Sequence, residues 1–456
     1  MKIKNFADAR HLAARLEIGV DDEKCQHRVG QHVADVLSAM LPVGEVNLSS
    51  PIFTPWEEVS DFYDFPIETR REMHRIARLE ARQLTSWWLE QIQGSAYPLL
   101  ERMTIFWHNH FTSNANKVVW PQFMYRQNQL FRQHALGNFA DLLRGVTQDP
   151  AMLTYLDVIK NVAGKPNENF ARELLELFTL GDGHYSEADI VNASRAFTGW
   201  GIDFVSGEFM FRTNNHDDGV KSFLGREANL NGDDIINILL QTPRTAEYIA
   251  EKFWAEFINH DTPDSVVIKL WARVFRDSGY EISALLNEII HSQAFWDESN
   301  RGTMIKSPVE FSVGLLRELR LSLKDFNVLN KANQQLGQDL FYPPDVKGWR
   351  GGKDWITNTR LIRRYDLIPK LITEHSGDTR SLLEDEIIRP RMLSSADVGV
   401  RSSMMARLME RLACSVNSGS LTRWLLATDP VLPPDCDQPL MSMLSTLLRD
   451  PAYQLK

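Results

Sequence analysis

The chain has 456 residues, 43% of them hydrophobic and 24% charged, with a formal net charge of −10. That balance fits a folded globular protein and excludes a disordered one. The acidic charge, with no basic run, argues against nucleic-acid binding.

The chain opens Met1-Lys-Ile-Lys-Asn-Phe-Ala-Asp-Ala-Arg10, with no apolar run behind its basic residues, so no signal peptide is expected. As given, the chain reads as cytoplasmic, and as exported if a leader has been removed. No window approaches the roughly 18 apolar residues of a membrane span. Cys25, Cys414 and Cys436 form no CxxC or CxxH spacing, which argues against a thiolate zinc site or a disulfide framework.

Leu99, Met103, Phe106 and His110 recur at three- and four-residue steps and predict a helix. Its end, Phe106-Trp-His-Asn-His-Phe111, is the most polar-aromatic stretch of the chain. Imidazole is a common metal ligand and titrates near neutral pH. If the helix continues, His108 and His110 point about 200° apart and cannot share a metal. Three readings stay open: one structural and one surface histidine, a ligand-binding or catalytic histidine, and a two-histidine metal site on a broken helix.

Next come Leu142-Leu143 before Asp149-Pro150, a helix ending at a residue that caps another turn; Leu285-Leu286 before Ser292 and Met443-Leu444 before Asp450-Pro451 repeat the phrase without a fixed period. In Pro166-Asn-Glu-Asn-Phe-Ala-Arg-Glu-Leu-Leu-Glu-Leu-Phe178, helical spacing puts Glu168, Asn169, Arg172, Glu173 and Glu176 on one face. That face is either solvated, with Glu168–Arg172 and Arg172–Glu176 pairs, or lines a site in which Asn169 and Glu173 meet a ligand.

Ser186-Glu-Ala-Asp189 has capping-box form and opens a helix that Gly199 ends. Glu208-Phe-Met-Phe-Arg212 is the best strand candidate. It lies in a long irregular stretch from Gly201 to about Asp233 that carries His216-Asp-Asp-Gly219 and Lys221. The His216 segment reads as a cation or acid/base site, or as a turn whose aspartate bonds its own backbone. Thr242-Pro243 and Ser307-Pro308 predict helix starts. Amphipathic segments follow at 246–258, 266–276, 282–291 and 309–319.

A second long loop runs from Phe341 to Trp355 and offers Asp345, Lys347, Trp349 and Trp355 on a proline-stiffened, glycine-hinged backbone. Its tryptophans either stack on a ligand or plug the loop onto the core. A boundary is expected around His375 to Arg380. No Walker loop, GxGxxG, GxSxG or HExxH is present.

Taken together, Glu101-Arg-Met-Thr-Ile-Phe-Trp-His-Asn-His-Phe111, Pro166 to Gly181, Ala196-Phe-Thr-Gly-Trp200 and His216-Asp-Asp-Gly219 with Lys221 and Phe223-Leu-Gly225 resemble a bacterial family, domain of unknown function 1800. Lys306-Ser-Pro-Val-Glu310 and Leu336-Gly-Gln338 to Trp355 extend the resemblance, which runs from about residue 80 to 365. The resemblance implies no established activity. It implies a neighbouring gene for a sulfatase- or phosphatase-like protein, a possible partner, and export for many members. This chain departs from the last by lacking a visible leader.

The expectation is therefore a mostly α, large, irregular multi-helix domain (1–375) with two long functional loops and a small helical C-terminal extension (376–456). The candidate catalytic residues are His108, His110, Glu173, His216 and Asp217. Trp107, Asn109, Asn169, Lys221, Asp345, Lys347, Trp349 and Trp355 are the candidate ligand contacts. If a divalent metal binds, its candidate ligands are His108 or His110 with Glu173 and His216 or Asp217, a set suited to Zn, Mn or Fe. The reading is an enzyme, or enzyme-like protein, acting by hydrolysis or group transfer on a polar, glycan-like or anionic substrate. The alternative is a non-catalytic scaffold or accessory partner of the sulfatase/phosphatase-like protein.

Overall fold

Helical spacing of apolar residues and, at many helix starts, a hydrogen-bonded side-chain cap build the fold. The computed structural model describes residues 1–376 and 418–456, apart from Glu45, Asn47, Pro433, Pro434, Cys436 and Asp437. These residues form an irregular assembly of helices with two small antiparallel hairpins, Trp200–Asp203 with Glu208–Phe211 and Lys221–Phe223 with Arg226–Ala228. Among them, no helix is long and apolar enough to cross a membrane.

The caps do what their chemistry suggests. Ser186 with Asp189 and Ser307 with Glu310 each form a reciprocal capping box. The repeated phrase resolves into three helix-to-helix corners, where Asp149, Ser292 and Asp450 accept from the backbone N–H of Met152, Phe295 and Ala452. Thr242 differs. It precedes the Pro243–Phe257 helix, but its hydroxyl donates back to the Ile238 carbonyl at 2.8 Å and caps nothing.

The Ile67–Gly94 helix packs on the Pro121–His134, Pro308–Glu318 and Asn327–Leu336 helices, and Pro98–His110 lies against Pro121–His134. One continuous apolar core joins Leu12, Trp88, Trp107 and Trp271 to Leu421, Trp424 and Tyr453. The described C-terminal helices, Ser418–Leu425 and Leu440–Arg449, thus bury their apolar faces in the same core as the rest. Trp424 Nε1 donates to the Val20 carbonyl at 2.7 Å and the Tyr453 hydroxyl to Glu318 Oε2 at 2.7 Å. Part of the boundary expected at 375–380, Gly377 to Arg380, lies outside the described residues, as do the residues on to 417.

Glu101 shows how this core holds a buried charge. Arg132 Nε and Nη2 grip both oxygens of Glu101 at 3.0 and 2.9 Å, and Trp88 Nε1 donates to the same carboxylate at 3.2 Å. Histidines are buried neutral. Burial is the main force holding the His11, His108 and His110 imidazoles down to about 3.

Between that value and the unfolded value of about 6.5, these rings are neutral in the folded chain and charged in the unfolded one. The unfolded state then binds more protons, so stability is lost as pH falls through this window. The urea midpoint is expected to drop steadily from about pH 6.5 downward. His108→Phe, in the box of Trp88, Phe131, Phe341 and Trp349, should make that slope shallower. An unchanged slope in the variant would remove His108 from the account.

Candidate functional site

The Pro98–His110 helix is unbroken, so successive residues at its end are fanned around the axis. Trp107 points into the core, where its Nε1 donates to the Ala135 carbonyl at 3.0 Å and its ring meets Phe111, Phe139 and Phe253. His108 is buried in the aromatic box, and its Nε2 has no partner among the described residues. Asn109 and His110 line a cavity of about 380 Å³, within the ~300–1,000 Å³ typical of small-molecule sites. The expected role of Trp107 as a pocket wall thus gives way to core packing.

His110 has a defined tautomer. Its Nε2 lies 3.1 Å from the Phe178 carbonyl, which can only accept, so Nε2 carries the proton and Nδ1 the lone pair. That carbonyl belongs to an unusual turn. The segment 169–178, expected as one α-helix, is α-helical only over Asn169–Glu173 and π-helical over Leu174–Thr179, with Leu180 N bonding the Leu175 carbonyl. The wider turn shifts the register after Glu173. Arg172 therefore pairs with Glu168 at 3.3 Å and Glu187 at 2.9 Å, while Glu176 meets Lys347 at 3.4 Å instead of Arg172.

Glu173 is half-buried and does not line the cavity. Burial and then Glu176 push its carboxyl up, against the pull of Lys347 and Arg172. Asn169 spends its carboxamide N–H on the Leu156 carbonyl at 3.3 Å.

The second long loop forms one wall of the cavity through Lys347, Trp349 and Trp355, with both indoles largely buried. Asn109 holds it in place, its Oδ1 accepting from Trp349 N at 2.7 Å. Gly348, at φ +74°, passes so close that a Cβ would overlap Asn109 Oδ1 and stand 2.7 Å from the Asn109 carbonyl oxygen. Asp345 sits at the loop's turn, accepting from Lys347 N at 2.8 Å.

The floor is ionic. Arg102 reaches Glu256 at 2.7 Å and also binds Glu310, whose other oxygen caps Ser307 N at 2.7 Å. Lys456 Nζ completes the group on Glu310. Burial opposes the Glu310 charge, but Arg102 and Lys456 outweigh it and hold this carboxyl well below the usual carboxylate range.

His216, Asp217 and Lys221 do not line this cavity. They form a separate hydrogen-bonded knot. Arg195 grips Asp217 at 2.7 and 3.1 Å and holds its carboxyl down to about 2. Asp217 also accepts from Gly219 N at 2.9 Å, the self-bonded turn that was the alternative for this segment. His216 Nδ1 donates to the Thr198 carbonyl at 2.8 Å. Lys221 spends its ammonium on the carbonyls of Asp217 and Gly219 and on Asn229. Among the described residues, no group of three or more His, Cys, Asp or Glu is arranged to hold a metal ion, so His108, His110, Glu173, His216 and Asp217 do not come together as a ligand set.

A family model described as a protein of unknown function, DUF1800, matches residues 11–455. The chain belongs to the DUF1800 family. The match extends well beyond residues 80–365, where the sequence motifs lie, and takes in the C-terminal helices that share the core. No curated protein and no solved structure matches the chain.

Several residues of this DUF1800 cavity escaped the sequence reading. Arg102 and Glu310 lie inside the quoted motifs, and Lys252 and Glu256 inside the amphipathic segment 246–258, where nothing in the spacing sets them apart. Arg102, Glu256 and Glu310 are marked only by one another, across 154 and 208 residues of sequence.

Gly348→Ala should destabilise the protein by about 1–3 kcal/mol, the usual scale of a forced left-handed residue plus a clash. Pairing it with Asn109→Ala should relieve part of the clash, so the two losses should fall short of adding in a urea-melt double-mutant cycle. Strict additivity would show that Asn109 does not clamp the loop.

Proposed function

We propose that the cavity between the Pro98–His110 helix and the 341–357 loop is the working site of an enzyme that carries out hydrolysis or group transfer on a polar substrate. The observation that carries this reading is His110, a neutral imidazole at the cavity wall whose Nε2 is committed to the Phe178 carbonyl. Its Nδ1 carries the free lone pair and, although burial and then Lys252 weaken it as a base, it is the cavity's proton-transfer group, taking a proton from the attacking water or hydroxyl and returning it to the leaving group. Trp349, Trp355 and Phe106 form an apolar wall for the body of the substrate. Glu173, raised first by burial and within reach of the Lys347 charge, is the second proton-transfer candidate, although it does not itself line the cavity.

The accessory-partner reading asks for a continuous apolar face. On the Ile67–Gly94 helix exposed Ile76 and Leu79 share a side, about 60° apart, while Ile67 stands about 180° from Ile76.

The test is a panel of p-nitrophenyl phosphate, sulfate, acetate and glycosides, assayed with the wild type and His110→Gln. Glutamine keeps a donor for the Phe178 carbonyl and removes the ring base. Turnover should fall by about 100-fold or more in the variant with the melting temperature nearly unchanged. Turnover equal in both proteins would overturn the assignment of His110.

A further inference from the structure

The cavity is cationic in an acidic protein. Arg102, Lys252, Lys347, Arg350 and Lys456 line it against two carboxylates, Glu256 and Glu310. Both carboxylates are already held by Arg102, and Glu310 by Lys456 as well. The positive charge left over is therefore not balanced by the floor.

Lys252 is the clearest surplus cation. It is half-buried on the Pro243–Phe257 helix, with its ammonium 4.8 Å from the Tyr248 ring centroid. It makes no ion pair among the described residues. Its sequence neighbour Glu251 has both oxygens taken by Arg244 at 2.6 and 2.8 Å, and Glu256, one turn on, is taken by Arg102. Across the cavity Lys347 adds a second positive charge, only partly offset by Glu176 at 3.4 Å. Exposed Arg350 stands on the same loop, also without an ion pair among the described residues.

Taking an ammonium out of water without a counter-charge costs free energy. Such a group beside a second cation is an unfilled anion site, and it recovers that cost when an oxyanion arrives. The indoles of Trp349 and Trp355 complete a site with a charged end and a ring-facing end.

Resting on the cavity reading above, we infer that the ligand is an organic oxyanion, a phosphate or sulfate ester of a ring-bearing molecule. Its anionic group seats on Lys252 with help from Lys347 and Arg350. Its ring lies against Trp349 and Trp355. The position beside His110 also fits, because burial first and Lys252 second oppose protonation of that imidazole, and a bound oxyanion offsets the Lys252 part.

The experiment follows the melting temperature and tryptophan fluorescence of the full chain titrated with phenyl phosphate, phenyl sulfate and phenol at constant ionic strength. Wild type, Lys252→Met, Trp349→Ala and the remote control Lys331→Gln are compared. A saturable response to one or both esters is expected in wild type and Lys331→Gln, weakened about tenfold or more in Lys252→Met, the scale of one lost charge-assisted hydrogen bond. Phenyl phosphate and phenyl sulfate separate the two sources of the oxyanion.

Equal ester affinity in wild type and Lys252→Met would overturn the inference. So would phenol binding as tightly as the esters with loss in Trp349→Ala, a result that leaves the cavity reading standing. Ester binding that depends on Lys252, combined with full turnover in His110→Gln, would support the inference while removing the catalytic assignment.

Discussion

Two adjacent charges of opposite sign, Glu101 and Arg102, are buried on one helix, and much of the molecule is arranged around satisfying them. Neighbours on a helix diverge by about 100°, so a single partner cannot serve both. A buried ion left unpaired costs several kcal/mol, more than a domain of ordinary stability can spare. Glu101 therefore requires Arg132 and the Trp88 indole, which ties the Pro98–His110 helix to Pro121–His134 and Ile67–Gly94. Arg102 requires Glu256 and Glu310, which ties it to Pro243–Phe257 and Pro308–Glu318. One ion pair on the Glu101 side and two on the Arg102 side set the helix's rotation.

That rotation decides what the end of the helix can do. With Arg102 turned toward Glu256 and Glu310, His110 faces the same cavity two turns later. His108 is turned into the aromatic box, and Asn109 meets the returning loop. The π turn at Leu174–Thr179 completes the arrangement from the other side by presenting the Phe178 carbonyl to His110 and Glu176 to Lys347. Widened turns of this kind often occur where a helix must place one group off its regular position.

Much of the scaffold was legible because its causes are local. A capping box at Ser186, proline at the first helical position after Ser307 and the Asp-Pro corners act within a few residues, and spacing reveals them. The strand candidate at Glu208 to Arg212 is likewise an alternating run, found here as Glu208–Phe211 paired with Trp200–Asp203. Thr242 shows the limit even for local signals, since its hydroxyl had two carbonyl and amide choices within a turn and took the backward one. The π turn was not legible, because Glu168 to Phe178 satisfies α-helical spacing as well as any amphipathic helix does. The depth and charge of the cavity were not legible either. Arg102, Glu256 and Glu310 gain their meaning from partners 154 and 208 residues apart in sequence.

Conspicuous polar motifs and the working cavity overlap only in part, and energetics explains why. Polar side chains near a core must be hydrogen-bonded, so a segment dense in them is first of all a segment that ties chain to chain. His216, Asp217 and Lys221 illustrate the rule: His216 bonds Thr198 through Nδ1, Asp217 is held by Arg195, and Lys221 donates to the loop's own carbonyls. Asn109 spends its oxygen on the Trp349 amide, and Asn169 its N–H on Leu156. A group available to a ligand is one whose capacity the fold leaves unspent. By that criterion the informative residue is the inconspicuous Lys252, an unpaired cation among carboxylates that Arg102 and Arg244 have already claimed.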